Sequence, residues 1–278
     1  MLKCGLIGDP VDHSLSAFMH NAAFEALGID ARYGLWPTTA DSLPATVASL
    51  REDGMLGANV TVPHKQAVSS LVDEVSESAR RIGAVNTVIP RDGRLLGENS
   101  DAYGFGRSLL ELTEGAIPAS ALVVGAGGAS RAVLVSLQGA GVADIRLVNR
   151  THATAQSLAA ALNGPSRPVI VAEPWPQLVQ LAPTAQLVVN ATSIGWHGDD
   201  LPFEASIIGL LPADAAVMDL TYRLTAMLRL ADERGLRTVD GLPMLIYQGA
   251  RAFELWTDQT APVDVMTQAV REAYAARA

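Results

Sequence analysis

The segment GANVTVPHKQA, residues 57–67, ends an apolar run in an amide, a hydroxyl, a proline and a lysine. A lysine in that position can carry a proton to or from a reacting oxygen and stabilise negative charge developing there. Taken alone, Lys65 also suits a solvated helix start, with Asn59 and Thr61 as turn chemistry. Further along, GAVNT and GENSDAYG set Asn86, Asn99 and Asp101 at the next chain reversals. One lysine, one aspartate and several neutral hydrogen-bonding groups suit a polyhydroxylated ligand of which one hydroxyl must lose a proton. Near the N-terminus, DPVDHSLSAF carries Ser14 and Ser16. On an extended segment their hydroxyls face the same way, able to cap the following helix or bind a carboxylate. His64 reads as a surface residue at a helix start.

A second constellation lies in ALVVGAGGASRAVLVSLQGAG, which has the order strand, glycine turn, helix. Gly125 and Gly127 allow a tight turn and close backbone approach to a pyrophosphate seated on the helix that begins near Gly128. Ser130 stands where the third glycine of the dinucleotide pattern belongs. The next strand ends in LVNRT, with Asn149 and Arg150 where an NAD site carries an acid for the ribose 2′-hydroxyl. An arginine there accommodates a 2′-phosphate, so the expected cofactor is NADP(H).

The elements that must hold these residues follow from the hydrophobic pattern. Apolar, β-branched runs alternate with helical segments over most of the 278 residues, which predicts an α/β fold built on parallel strands. In the first hundred residues the strands are KCGLIG, ARYGLW, GANVTV and TVIPR, with helices starting near Ser16, Asp41 and Lys65. RDGRLLG reads as a hairpin on Asp92-Gly93. A second series runs through ALVVGAGG, DIRLVNR, RPVIV, AQLVVNAT, AAVMDLT and RTVD. Beyond Gly241 only helical pattern remains, and two helices without a strand are expected to pack back on an earlier element. The two halves are expected to meet across a cleft.

Composition limits the partners. A net charge of −9 leaves no basic stripe for nucleic acid, and 5% aromatic content offers few stacking platforms. No run approaches the ~18 apolar residues of a membrane span. The single cysteine, Cys4, lies in an apolar strand and reads as a core residue in a cytoplasmic protein. The five histidines show no ligand spacing, so no metal is expected. His197-Gly198-Asp199-Asp200 reads as a solvated loop. Small molecules are the expected partners, and the chain as a monomer or homodimer.

The blocks GDPVDHSLS, GANVTVPHK, GAVNT, GENSDAYG, GAGGASRA, NRT, NATSIG and MLIYQGARAFELW, in this order, resemble the shikimate dehydrogenase family, which reduces 3-dehydroshikimate with NADPH. The resemblance implies a discontinuous substrate domain, residues 1–102 and 240–278, and a Rossmann-like NADP-binding domain, residues 103–239, with the active site in the cleft between them. It implies that Ser14 and Ser16 bind the substrate carboxylate, that Asn59 shapes the strand end, and that Thr61, Asn86, Asp101, Tyr222 and Gln248 hold ring hydroxyls. Lys65 and Asp101 become the catalytic pair, both touching substrate. Gly125, Ala126, Gly127, Gly128, Ala129, Asn149, Arg150, Thr151, Thr192 and Gly241 become the cofactor contacts. Trp196 stands where the family often has methionine beside the nicotinamide, and Leu224 where it often has proline. Quinate or aminoshikimate dehydrogenase remains a related alternative, and a non-catalytic sensor of the same ligand an alternative of another class. The presence of both Lys65 and Asp101 favours an enzyme.

Overall fold

Among the described residues the chain forms twelve strands, and β-branched residues, which pack well on a pleated surface, are concentrated in the strand Thr87–Arg91 and in the strands from Ser120 on. A computed structural model describes residues 1–165 and 167–277. Its strands are β1 (Leu2–Gly8), β2 (Ala31–Pro37), β3 (Met55–Val60), β4 (Glu74–Val75), β5 (Thr87–Arg91), β6 (Arg94–Glu98), β7 (Ser120–Val124), β8 (Asp144–Val148), β9 (Ile170–Glu173), β10 (Leu187–Asn190), β11 (Ala216–Asp219) and β12 (Arg237–Val239). The helices are α1 (Ser16–Ala26), α2 (Leu43–Ser49), α3 (Glu77–Ile82), α4 (Asp101–Leu112), α5 (Gly128–Ala140), α6 (His152–Leu162), α7 (Leu178–Leu181), α8 (Ser206–Leu210), α9 (Ala226–Glu233), α10 (Leu242–Thr257) and α11 (Val263–Ala275).

The chain divides into two compact units, Met1–Gly104 with Leu245–Ala278, and Phe105–Met244. In the first, the sheet order is β2-β1-β3-β5-β6-β4. β1 pairs in parallel with β2 and β3, whereas β5 runs antiparallel to both β3 and β6. Asp92 (φ 52°) and Gly93 (φ 76°) form the β5–β6 turn, the two positive φ values that Asp-Gly supports. Ile7, Val47, Leu50, Val60 and Leu95 fill the core under α2. The terminal helices pack back as expected: α11 lies on α1, and Phe253 of α10 meets Phe24 of α1 with ring centroids 5.3 Å apart.

In the second unit the order is β12-β11-β10-β7-β8-β9, and every pairing is parallel. This is the doubly wound order that reverses between its first and fourth strands, here β7 and β10, the place where such sheets bind ligands. Val124, Val148, Val188 and Val217 belong to its buried core.

Three local expectations are corrected. No α-helix begins near Lys65; the chain makes turns and a short 3₁₀ segment, Ala67–Ser70, and α3 comes later. α1 begins at Ser16 as expected, but Ser16 is already helical, so the serine pair does not share the extended segment on which its hydroxyls were set to face the same way. His64 is not on the surface: it is 3% exposed, and its Nε2 lies 2.6 Å from the Thr38 carbonyl oxygen. Its polar ring is buried at no cost in unmade hydrogen bonds because that carbonyl accepts from it. Cys4 is buried in β1 as a core residue, and burial pushes its thiol pKa up.

Candidate active site

Register brings the polar residues of the first unit to one edge of its sheet. β1 and β3 end there together at Gly8 and Val60, while antiparallel β5 begins there at Thr87, opposite Asn59 and Glu98. Residues just beyond those ends are therefore neighbours, although they are far apart in sequence. Lys65 Nζ lies 2.7 Å from Asp101 Oδ2, and the two side chains are 31% and 16% exposed. The pair is half-buried, so it keeps access to a ligand while losing much of the solvent that would screen it.

Asn86 holds this pair in place. Its Nδ2 donates to Asp101 Oδ1 at 2.8 Å, and its Oδ1 accepts from the Ser100 backbone N–H at 2.8 Å and the Thr87 hydroxyl at 2.9 Å. Asn99 Oδ1 accepts from the Asp101 N–H at 3.0 Å, fixing the first turn of α4. Asn59 is buried behind these groups; its Nδ2 donates to the Asn86 carbonyl at 3.3 Å and to Thr87 Oγ1 at 3.2 Å. Thr61 is half-buried beyond the end of β3, its N–H donating to the Ile7 carbonyl. Gln248 of α10 stands 3.4 Å from Ser100 Oγ through its Oε1. Ser14 Oγ accepts from the Ser16 N–H at 3.1 Å, which leaves its own O–H free to donate elsewhere.

The glycine turn is a separate construction in the second unit. At Gly125 (φ 106°) a Cβ would come within 2.8 Å of Thr192 Cγ2 and 2.9 Å of the Ala191 carbonyl, so only glycine lets β7 pass this close to the end of β10. Gly127 and Gly128 face open space, and α5 starts at Gly128 with no side-chain cap. Its first N–H groups are thus available to an anion, helped by the helix dipole. Ser130 explains the missing third glycine: it is fully buried, and its hydroxyl donates to the Gly125 carbonyl at 2.7 Å, closing the turn. Asn149 Oδ1 accepts from the Ala126 N–H at 3.2 Å, and its Nδ2 donates to the Thr151 carbonyl. Arg150 is exposed at the end of β8. Open space over the turn, uncapped amides and an exposed guanidinium with no acid at the strand end fit a 2′-phosphorylated dinucleotide.

Two further loops flank this turn. The Thr192 hydroxyl donates to Asn190 Oδ1 at 2.7 Å. Gly241 packs so tightly that a Cβ would lie 2.3 Å from the Leu220 carbonyl oxygen and 2.9 Å from Tyr222 Cδ1. Trp196 is 45% exposed and meets the Tyr222 ring edge-on at 5.3 Å. The His197–Asp200 loop is exposed, with Asp199 paired to Arg229 at 2.8 Å.

Sequence reading missed the groups behind the sites. Thr87 lies inside the quoted GAVNT block, but nothing marked its side chain as a link. Tyr33 donates to Asn59 Oδ1 at 2.9 Å from another strand, and no local pattern pairs the two. Asp219 is fully buried and receives Asn190 Nδ2, Thr225 Oγ1 and the Thr221 N–H at 2.9–3.0 Å. Among the described residues no three His, Cys, Asp or Glu side chains are grouped to hold a metal, and no helix is long and apolar enough to cross a membrane.

Residues 6–88 match the family model for the shikimate dehydrogenase substrate binding domain, residues 111–195 that for shikimate / quinate 5-dehydrogenase, and residues 241–271 that for the shikimate 5′-dehydrogenase C-terminal domain. A shikimate dehydrogenase (NADP(+)) of Symbiobacterium thermophilum is 45% identical over 270 residues, covering 95% of this chain and 92% of its own. The crystal structure of shikimate 5-dehydrogenase from Thermus thermophilus in complex with NADP(H) and shikimate is 41% identical, with a TM-score of 0.85 over 98% of this chain and 100% of that one. Quinate dehydrogenase from Corynebacterium glutamicum in complex with NAD is 33% identical, with a TM-score of 0.90 over 98% of this chain and 99% of that one. The backbone is thus as close to the quinate protein as to the shikimate one, so substrate and cofactor choice rest on side chains.

Proposed function

The chain belongs to the shikimate dehydrogenase family, and from that premise we infer that it catalyses the reversible, NADP-dependent reduction of 3-dehydroshikimate to shikimate. The observation that carries the reading is the Lys65–Asp101 pair at 2.7 Å, braced by Asn86 at a sheet edge. NADPH held at the Gly125–Gly128 turn would supply the hydride.

The residues of the chain do the rest. As the carbonyl becomes an alkoxide, negative charge develops on its oxygen, and the Lys65 ammonium stabilises it and delivers a proton from Nζ. Asp101 aims the ammonium, and Asn86 prevents the carboxylate from turning away. Ser14 and Ser16 bind the substrate carboxylate as neutral donors, which avoids a second cation beside Lys65. Thr61, Asn86, Asp101, Gln248 and Tyr222 read the hydroxyl pattern, and an analogue lacking one hydroxyl leaves a buried polar group unpaired. The first unit acts as the substrate domain and the second as the NADP(H) domain, with Arg150 on the 2′-phosphate. The enzyme works in the cytoplasm, the compartment that suits its lone, buried thiol.

Initial rates followed at 340 nm, crossing shikimate and quinate with NADP and NAD, test the reading. Turnover with shikimate and NADP that disappears in Lys65→Ala supports it. Turnover chiefly with quinate or NAD reassigns substrate or cofactor, and tight shikimate binding without turnover makes the protein a sensor.

A further inference from the structure

Hydrogen-bond direction in the first unit can be worked out from a single backbone group. The Asn86 carbonyl only accepts, so the Asn59 group facing it must be Nδ2, as found at 3.3 Å. Asn59 Oδ1 therefore faces Tyr33, whose phenol must donate, at 2.9 Å. The other Nδ2 contact, to Thr87 Oγ1 at 3.2 Å, uses the lone pairs of that hydroxyl and sends its proton on to Asn86 Oδ1 at 2.9 Å. With its oxygen accepting, Asn86 presents Nδ2 to Asp101 Oδ1 at 2.8 Å, and Asp101 Oδ2 meets Lys65.

We propose that Tyr33 is a positioning residue that holds the Lys65–Asp101 pair in place through this chain of hydrogen bonds. The inference rests on the functional reading above and extends it to a residue outside the ligand contacts. Tyr33 is suited to the task. It is 2% exposed, and burial raises its pKa well above the ordinary phenol value, so it remains a donor. Its ring is clamped by His20, stacked at 4.4 Å with planes 4° apart, and by Trp256 at 6.2 Å. His20 is itself fully buried with both ring nitrogens unpartnered, so it is neutral and places no competing donor or acceptor on the phenol.

Tyr33→Phe removes one hydroxyl and keeps the ring. It is expected to lower kcat and raise KM for shikimate, each by roughly tenfold, with KM for NADP unchanged. Thr87→Val cuts the same chain downstream and keeps the inference testable if the first variant folds poorly. The double variant is expected to be no slower than the slower single variant, because a chain can be broken only once. Multiplying effects, or a fall in thermal stability with unchanged kinetics, would overturn the proposal. An independent readout uses no substrate: the Asn59 and Asn86 side-chain amide protons, followed by ¹⁵N NMR, should exchange slowly in the parent and faster in Tyr33→Phe. Unchanged exchange refutes the coupling whichever substrate the parent enzyme uses, whereas failure of the parent to oxidise shikimate refutes only the functional reading.

Discussion

Lys65 and Asp101 lie 36 residues apart in the chain, yet their charged atoms meet at 2.7 Å because β3 and β6 deliver both to one sheet edge. Neither atom is free to move far, since the second carboxylate oxygen is already taken by Asn86. Geometry of this kind gives a general acid its reach. Lys65→Ala is expected to lower kcat by about 10²- to 10⁴-fold. Asp101→Asn is expected to lower it less, because the amide still approaches Lys65 without the charge. Both variants should melt close to the parent, since the pair is partly solvated. Steady-state rates and thermal melts check this, and a Lys65→Ala enzyme with near-normal kcat would remove the lysine from the chemistry.

Arg150 is the residue proposed to set the cofactor choice. Its guanidinium is exposed beyond β8, where an acid would repel a 2′-phosphate. Arg150→Ala is expected to raise KM for NADP by roughly 10- to 100-fold, the worth of a hydrogen bond to a charged group, and to leave KM for NAD unchanged. Equal effects on both cofactors would mean that the arginine contacts the shared diphosphate.

Acid should destabilise the protein through His20. Burial pushes its pKa down from 6.5 to about 3, so the folded imidazole stays neutral when the unfolded one is already charged. Between these two values the unfolded state binds the extra proton, and stability falls as pH falls. The groups packed on it, Tyr33, Phe253 and Trp256, carry no charge to offset this. From pH 7 to pH 4.5 the loss should be about 2 to 3 kcal/mol. His20→Phe should flatten the curve over that range. Urea melts at several pH values measure it, and an identical slope in the variant would assign the acid sensitivity elsewhere.

Asp219 ties together the loops that carry Thr192 and Tyr222. Asp219→Ala would remove the acceptor of the Thr221 N–H, of the Thr225 hydroxyl and of one of the two Asn190 Nδ2 protons, all on buried residues. A loss of about 3 kcal/mol or more is expected. If the cofactor loop loosens with it, KM for NADP should rise as well. Calorimetry with NADP titration would show whether stability and affinity fall together; a fall in stability alone would restrict Asp219 to the core.

Much of this protein is legible in one dimension. Hydrophobic period and turn residues act over a few positions, so every strand except β4, the Asp92-Gly93 hairpin, the Gly125–Gly128 turn and the two closing helices follow from local chemistry. The motif blocks carry Lys65, Asn86 and Asp101, the groups proposed to meet the substrate, because a ligand must be met by side chains near strand ends. What local chemistry cannot state is which strand ends coincide. The helix start at Ser16 was legible, but not that it takes Ser16 out of an extended pairing with Ser14; His64 was expected in solvent and is buried against Thr38. Tyr33, Asn59, Thr87 and Asn86 come from three strands and one connection, and they form one directed chain only after β2, β1, β3 and β5 are paired in register. A hydrogen bond needs its atoms within about 3 Å, and sequence separation carries no information about that distance. The residue types were therefore determined by the sequence alone, and their coupling was decided by the sheet.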